Sequence, residues 1–321
     1  MLTSTLLYGL LAAASTVDAH AHPKPPKASI SYSVVPGIFL QDDNATNPTG
    51  FDFIATNFGL INRTYPSDSS CPDRGRSTQW QRLAHYIDTL NSEGPKGSKG
   101  PKGPKGPKNE RYSLLFMGRH GEGFHNAAET FFGTPAWNCY WATREGNATV
   151  TWADAKLTPY GVKQTDQIKD FWARLIKNEK ITAPEAYYTS PLNRCLDTAK
   201  LTFGDLDLPR KSPFEPVIKE FLREGISAHT CNRRSTKSTI KKNFPGFEFE
   251  KGFPENDPYW QSGKAEPSAA QDARSKAGLD DLFTSDDSTH ISITSHSGEI
   301  ASLLRSKSHE SCDSTAANAI S

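Results

Sequence analysis

From residue 113 onward, short apolar runs alternate with longer amphipathic segments, and this alternation constrains the fold more than any other feature of the sequence. The apolar runs, each predicted to be a buried strand, are 113–117, 186–189, 216–221 and 290–294. The intervening segments predicted to be helical are 160–178, 191–202 and 267–283. This order of elements predicts an α/β fold, a three-layer α/β/α sandwich with a largely parallel central sheet.

Three of the predicted strands run directly into residues suited to binding phosphate. Arg119 and His120 follow the first strand, Arg194 follows the second, and His296 follows the last. Because ligands bind beyond the carboxyl ends of parallel strands, we expect these side chains to lie close together. Guanidinium groups hold phosphate oxygens in pairs, and a neutral imidazole among them is a competent nucleophile for phosphorus. The sequence therefore predicts a phosphoryl-transfer site.

Such a site also needs a proton donor for the leaving oxygen. Glu224, just after the third strand, is placed to supply one. Two other acidic residues, Glu220 and Glu248, are alternatives. A plain ion pair of Glu224 with Arg223 or Arg234 is the structural alternative.

The stretch 118–122, Gly-Arg-His-Gly-Glu, resembles the RHG signature of the histidine phosphatase (phosphoglycerate mutase-like) superfamily. The later stretches Ser-Pro-Leu-Asn-Arg (190–194) and Ser-His-Ser-Gly (295–298) resemble, in the same order, the segments with that family's second arginine and second histidine. Segments 116–126, 137–141 and 229–235 further resemble its fungal phosphomutase-like branch. The resemblance covers residues 111–305 and identifies these as a histidine phosphatase domain.

The resemblance implies a metal-independent phosphomonoesterase that works through a phosphohistidine on His120. It implies Glu224 as the proton donor, and as phosphate-binding residues Arg119, Asn126, Arg194 and His296. No metal or organic cofactor is implied, and His120 and His125 do not form an HExxH pattern. The alternatives are a phosphomutase and a non-catalytic or degenerate phospholigand-binding member.

The leaving group is not specified by the sequence. His229, Arg233 and Arg234 are candidates for its pocket or members of a solvated basic face, and the basic residues of 233–251 permit a multiply anionic substrate. Asn232 stands where an aspartate is expected in the family branch.

The N-terminal region indicates secretion. Residues 1–21 are typical of a signal peptide, with an apolar stretch at 6–14 followed by small residues and an A-x-A-like cleavage site. Glycosylation is expected at the sequons of Asn44, Asn62 and Asn147. Five cysteines allow up to two disulfides in an oxidising compartment. We therefore expect an extracellular or cell-wall protein.

Residues 22–110 are predicted to be an N-terminal extension, with surface coil over most of 22–76, a strand-like stretch at 31–35 and a helix over 77–91. Its residues 94–108 are five Gly-x-Lys triplets with a collagen-like period. Five triplets with five like charges predict a solvated polyproline II-like loop rather than a triple helix. A contact with a polyanion is the functional alternative.

The tail 306–321 has no strand pattern and is predicted to be disordered and aberrant. Related chains are expected to continue with an apolar strand here, so the C-terminal strand of the sheet is predicted to be missing.

The charges nearly balance, with 37 Lys and Arg against 36 Asp and Glu. A net charge of +1 gives no overall attraction to nucleic acid or to an anionic membrane. The partner predicted is a small phosphorylated substrate, and no oligomeric state is predicted.

Overall fold

The computed structural model of the protein describes residues 30–73, 75–92 and 110–306. The predicted signal peptide, the Gly-x-Lys run and the tail after residue 306 lie outside these residues. The predicted loss of a C-terminal strand concerns that tail and is therefore not tested. In the part of the chain that is described, no helix is long and apolar enough to cross a membrane.

The centre of the described structure is a parallel sheet with the strand order β1-β5-β2-β3-β4. Its strands are β1 (Leu114–Arg119), β2 (Ala186–Thr189), β3 (Pro216–Ile218), β4 (Glu248–Phe249) and β5 (His290–Ser295). The helices are α1 (Gln79–Ser92), α2 (Phe124–Phe132), α3 (Thr134–Cys139), α4 (Pro159–Arg174), α5 (Asn193–Phe203), α6 (Lys237–Asn243), α7 (Ser268–Ser285) and α8 (Ser297–Arg305). The predicted α/β fold with a parallel central sheet is confirmed.

Helices cover both faces of the sheet because side chains alternate along each strand. On one face, α1, α4 and α5 pack through Trp80, Phe171 and Phe203 against Phe116 and Tyr187 of the sheet. On the other face, α7 and α8 pack against β5 through a second cluster that includes Leu279, Leu282, Leu303, Ile291 and Ile293. Both isoleucines are fully buried, which stabilises the fold by about 1.5–3 kcal/mol for each side chain.

The third strand is shorter than predicted. β3 ends at Ile218, and Glu220–Leu222 form a 3-10 turn instead of continuing the strand. The backbone N–H of Glu220 donates to Oε1 of Glu250 at 2.7 Å, and the buried Glu220 carboxylate pairs with Arg223. These contacts turn the chain away from the sheet. The two-residue strand β4 and the helices α2, α3, α6 and α8 were not predicted, since they are short.

The N-terminal extension differs from its prediction in two ways. Residues 31–35 form no strand, and the side chains of Val34 and Val35 are exposed. The segment is also not only surface coil, because Ile38 and Tyr65 are buried in the same core cluster as α1. The ring of Phe58 lies 4.7 Å from that of Phe171. The extension therefore packs onto the α/β domain.

None of the disulfides that the cysteine count allows is formed among the four described cysteines. Cys71, Cys139, Cys195 and Cys231 are all free thiols, and three of them are buried.

Candidate active site

The register of the sheet brings three strand ends to one level. Arg119 of β1 pairs with Ser295 of β5, and Thr189 of β2 pairs with Thr294 of the same strand. The residues that follow β1, β2 and β5 therefore converge, as expected at the carboxyl edge of a parallel sheet.

His120 lies at this edge and is 7% exposed. Its Nδ1 lies 2.7 Å from the carbonyl oxygen of Gly121, and its Nε2 accepts a 3.1 Å hydrogen bond from Nε of Arg194. Because a carbonyl only accepts, Nδ1 carries the proton and Nε2 carries the lone pair. Burial, followed by the charge of Arg194, lowers the pKa of His120 well below its usual value. The imidazole is therefore neutral.

Arg194 is held on three sides in the interior. Besides its bond to His120, its Nη1 donates to the carbonyl of Cys231 at 2.7 Å and its Nη2 donates to Oδ1 of Asn232 at 3.2 Å. The amide nitrogen of Asn232 donates to the carbonyl of Gly225 at 3.0 Å and to Oγ of Ser227 at 3.1 Å. An aspartate at position 232 could accept from Arg194 but could not donate to Gly225. The side-chain oxygen and nitrogen of the asparagine thus both form hydrogen bonds.

His296 lies behind His120 at a ring-centroid distance of 5.0 Å and is fully buried. Its Nε2 is 2.8 Å from Oγ of Ser190 and 3.3 Å from Sγ of Cys195. Burial, followed by the charge of Arg194, lowers its pKa well below the usual value. His296 is therefore a second neutral imidazole at the centre of the site.

A cavity of about 230 Å³ opens in front of His120. The residues that line it are Arg119, His120, His125, Asn126, Glu129, Trp137, Asn138, Arg194, Glu224, His229, Cys231 and Asn232. The structure thus brings five of the six predicted catalytic and phosphate-binding residues to one cavity. His296 is not on its wall and adjoins the site from the buried side.

Of the three acidic residues considered as proton donor, only Glu224 lines the cavity. Glu224 lines the cavity, where its Oε1 accepts from the N–H of Gly225 at 2.9 Å. Glu220 is 4% exposed and pairs with Arg223 and Arg234 away from the cavity wall. Glu248 is exposed and lies 3.6 Å from Lys241. The ion pair considered for Glu224 is not formed, because Arg223 and Arg234 are occupied by other carboxylates.

Several cavity residues were not predicted as site residues, although the sequence spacing of two of them places them near His120. His125 and Glu129 of α2 are four residues apart, which places them on the same face of a helix that begins just after His120. Trp137 and Asn138 arrive from α3 without such a signal. Asp154 is a supporting residue that no motif marks: its Oδ1 accepts from the N–H of Asn193 at 2.9 Å and fixes the start of α5.

The basic residues proposed for the leaving-group pocket behave differently from one another. His229 lines the cavity. Arg233 instead pairs with Glu145 at 2.6 Å, and Arg234 pairs with Glu220. Neither arginine is on the cavity wall. Among the residues described, no group of three or more His, Cys, Asp or Glu side chains is arranged to hold a metal ion.

A sequence profile of the histidine phosphatase superfamily (branch 1) matches residues 115–314. The chain belongs to the histidine phosphatase superfamily. It is 44% identical over 280 residues to a probable phosphoglycerate mutase of Arthroderma benhamiae, covering 87% of this chain and 80% of that protein. It is 39% identical over 219 residues to phosphomutase-like protein 3 of Candida albicans, covering 68% of this chain and 67% of that protein.

Two solved structures are also similar. One is the phosphoserine phosphatase of Entamoeba histolytica, with a TM-score of 0.32 and 23% identity over 60% of this chain and 78% of that one. The other is the ecdysone phosphate phosphatase of Bombix mori, with a TM-score of 0.41 and 14% identity over 62% of this chain and 80% of that one. We assign the residue roles below from the geometry of this chain.

Proposed function

We propose that this superfamily member is a phosphomonoesterase that acts through a phosphohistidine at His120. The observation that supports this most strongly is the neutral His120 ring, which carries its proton on Nδ1 and its lone pair on Nε2, at the wall of a cavity that also holds two arginines and two carboxylates, one of them Glu224. A neutral imidazole beside fixed cations suits attack on a phosphate dianion.

In the first step, the phosphate enters between Arg119 and Arg194, and the Nε–H of Arg194 turns from His120 to a phosphate oxygen. The freed Nε2 lone pair attacks phosphorus, and the bond from phosphorus to the ester oxygen breaks. Glu224 gives its proton to the departing oxygen. Asn126 contacts the bound ester from the first turn of α2, and His296, which is not on the cavity wall, supports the His120 ring from the buried side.

In the second step, water attacks the phosphohistidine. The Glu224 carboxylate accepts the proton of the water, the P–N bond breaks, and inorganic phosphate leaves. His120 returns to its neutral state, held by the carbonyl of Gly121. The arginines offset the phosphoryl charge in both steps. The proposed reaction therefore needs only side chains of the protein and water.

A phosphomutase is the second candidate, because two of the similar proteins carry mutase names. Such an enzyme shares the first step but returns the phosphoryl group to a second hydroxyl of the substrate. The two activities differ in product: a phosphatase releases inorganic phosphate from 3-phosphoglycerate, whereas a mutase yields its 2-phospho isomer. Phosphorus NMR of the reaction mixture distinguishes them directly.

The chemistry is tested with p-nitrophenyl phosphate, in the presence and absence of EDTA. We expect turnover by the wild type, insensitivity to EDTA, and a loss of about 10³-fold or more for His120→Ala. His85→Ala is the matched control, since that histidine lies on α1 and bonds to Ser70 at 3.1 Å. Rapid acid-free quenching with a labelled substrate should trap a base-stable, acid-labile phosphoenzyme in the wild type alone. An inactive wild-type protein would contradict the phosphatase assignment, and EDTA inhibition would contradict the metal-free steps.

We further propose that the protein is secreted and glycosylated. The asparagines of all three sequons, Asn44, Asn62 and Asn147, are exposed, as an acceptor must be. Expression in a eukaryotic secretory host should release a protein whose mobility increases on enzymatic deglycosylation. Retention in the cells with unchanged mobility would contradict this proposal.

A further inference from the structure

The cavity has two chemically different halves. Around His120 lie the two cations of its wall, Arg119 and Arg194. The second half is formed by residues of α2, α3 and the loop after β3, namely Glu129, Trp137, Asn138 and His229, and the ring centroids of Trp137 and His229 lie 6.1 Å apart. Glu224 also lines the cavity. If phosphate occupies the first half, the second half is left for the leaving group.

Glu129 gives the leaving-group half a negative character. The charge of its carboxylate acts to raise the pKa of two other residues of the wall, His229 and Cys231. Burial nevertheless lowers the pKa of His229, and it lowers the pKa of His125 well below the usual value. Both rings are therefore neutral hydrogen-bonding groups rather than counter-charges.

Within the described residues, no Lys or Arg forms an ion pair with this carboxylate, whose Oε1 accepts a 3.0 Å hydrogen bond from Oγ1 of Thr134. Arg233 is paired with Glu145 and lies over the ring of Trp260, with its guanidinium carbon 5.0 Å from the ring centroid. Arg144 lies 4.5 Å from the ring centroid of Tyr140. Within the described residues, the only Lys or Arg side chains on the cavity wall are Arg119 and Arg194. A bound phosphate dianion uses both of those charges.

We propose that this pocket selects phosphate monoesters whose leaving group is neutral or cationic, and that Glu129 is the specificity-determining residue. A carboxylate or a second phosphate on the leaving group meets the charge of Glu129 in a partly buried site where repulsion is weakly screened. Hydroxyl or ammonium groups instead find hydrogen-bond partners on Glu129, Asn138 and His229. This inference rests on the proposed phosphatase function, and it concerns the half of the cavity that does not perform the chemistry.

The test compares two esters that differ by one charge. Glycerol 3-phosphate releases neutral glycerol, whereas 3-phosphoglycerate releases an anionic glycerate. We expect kcat/KM at low ionic strength to favour glycerol 3-phosphate by about tenfold or more, since one close charge pair in such a site is worth at least that factor. Phosphoethanolamine, with a cationic leaving group, should be accepted at least as well as glycerol 3-phosphate.

Variants at position 129 assign the preference to one side chain. Glu129→Gln should reduce the preference about fivefold, and Glu129→Lys should reverse it. Glu215→Gln is the matched control for net charge, because Glu215 is exposed and is not on the cavity wall. That variant should leave the ratio unchanged. An equal kcat/KM for the two glycerol-based esters in the wild type, or a ratio that Glu129 variants do not move, would overturn the inference.

A binding measurement separates this inference from the catalytic proposal. Calorimetric titration of His120→Ala with both ligands measures the charge preference without turnover, and glycerol 3-phosphate should bind about tenfold more tightly. If no ester is hydrolysed by the wild type but this preference is present, the phosphatase assignment fails and the selectivity of the pocket stands. Equal affinity, or no binding of either ligand, overturns the inference even if other esters are hydrolysed.

Discussion

Nε of Arg194 donates a 3.1 Å hydrogen bond to Nε2 of His120, the ring nitrogen that the proposed mechanism uses as its nucleophile. The same guanidinium donates to the backbone of Cys231 and to the side chain of Asn232. Arg194 therefore shields the lone pair in the resting protein, and in the proposed mechanism the same guanidinium binds the phosphate. In the resting site, one hydrogen bond pairs this arginine with this histidine, and the proposed mechanism requires that bond to break when phosphate binds.

Arg194→Lys tests this double role. A lysine keeps the charge but cannot bond to three groups in a planar fork. We expect kcat/KM for p-nitrophenyl phosphate to fall by about 10²-fold, with the fold retained. Arg210→Lys, at an exposed position, is the control and should have no effect. A variant with near-wild-type kcat/KM would show that charge alone suffices at this position.

The protonation of His120 gives a pH prediction. Burial and the charge of Arg194 lower its pKa, so the neutral form persists to a lower pH than that of an ordinary histidine. Nitrogen NMR of histidine-labelled protein, assigned with His120→Asn, should show the neutral tautomer with its proton on Nδ1 unchanged from pH 8 down to about pH 5.5. A titration midpoint near 6.5 for this ring would contradict the argument.

The sequence predicted the parts of the site that follow strands, for a physical reason. A strand end is visible in the hydrophobic pattern, and parallel pairing forces such ends together, so His120, Arg194 and His296 could be expected to meet. Glu129 and Trp137 could not be predicted in this way. They reach the cavity from short helices whose orientation depends on tertiary packing, for example the contact of Trp137 with Trp152 at 5.6 Å between ring centroids.

The buried ion pairs behind the cavity could not be predicted either, because most of the partners are far apart in the sequence. Arg234 is 14 residues from Glu220, and Asp257 is 34 residues from Arg223, yet the four form one buried cluster. Their burial explains why the basic stretch after residue 233 does not form a basic face at the cavity. It also leaves Glu224, and not Glu220, as the acidic residue of this loop that lines the cavity.

Gly298 leaves room for the carboxylate of Glu224. This glycine is in the first turn of α8, and a Cβ atom there would overlap Oε1 of Glu224. Alanine suits the helical backbone of this position, so Gly298→Ala should keep or slightly raise the free energy of unfolding while displacing the carboxylate. We expect kcat to fall about tenfold or more, approaching the value for Glu224→Gln. Gly246→Ala is the control, since nothing lies within 4 Å of the added atom. Unchanged kcat in Gly298→Ala would show that Glu224 works from a different position.

Asp257 anchors the loop that carries Glu224, and its effect should depend on pH. Burial alone would raise the pKa of Asp257, but the hydrogen bonds and charge of the fully buried Arg223 outweigh it and lower the pKa to about 2. Because folding lowers this pKa, the ionised carboxylate stabilises the folded state fully at pH values above the unfolded pKa near 3.8. The contribution is lost as the pH falls toward 2. The pKa difference corresponds to about 2.5 kcal/mol at neutral pH.

Asp257→Asn should therefore reduce the free energy of unfolding in urea by about 2–4 kcal/mol at pH 7, and by clearly less at pH 3. Asp287→Asn is the control, because that residue pairs with Arg111 at the surface with a 59% exposed side chain, and its loss should stay below about 1 kcal/mol at either pH. Because Arg223 directly precedes Glu224, the Asp257 variant should also lose phosphatase activity at pH 7. A loss of stability that is the same at pH 7 and pH 3 would mean that the ionised carboxylate is not what stabilises this loop.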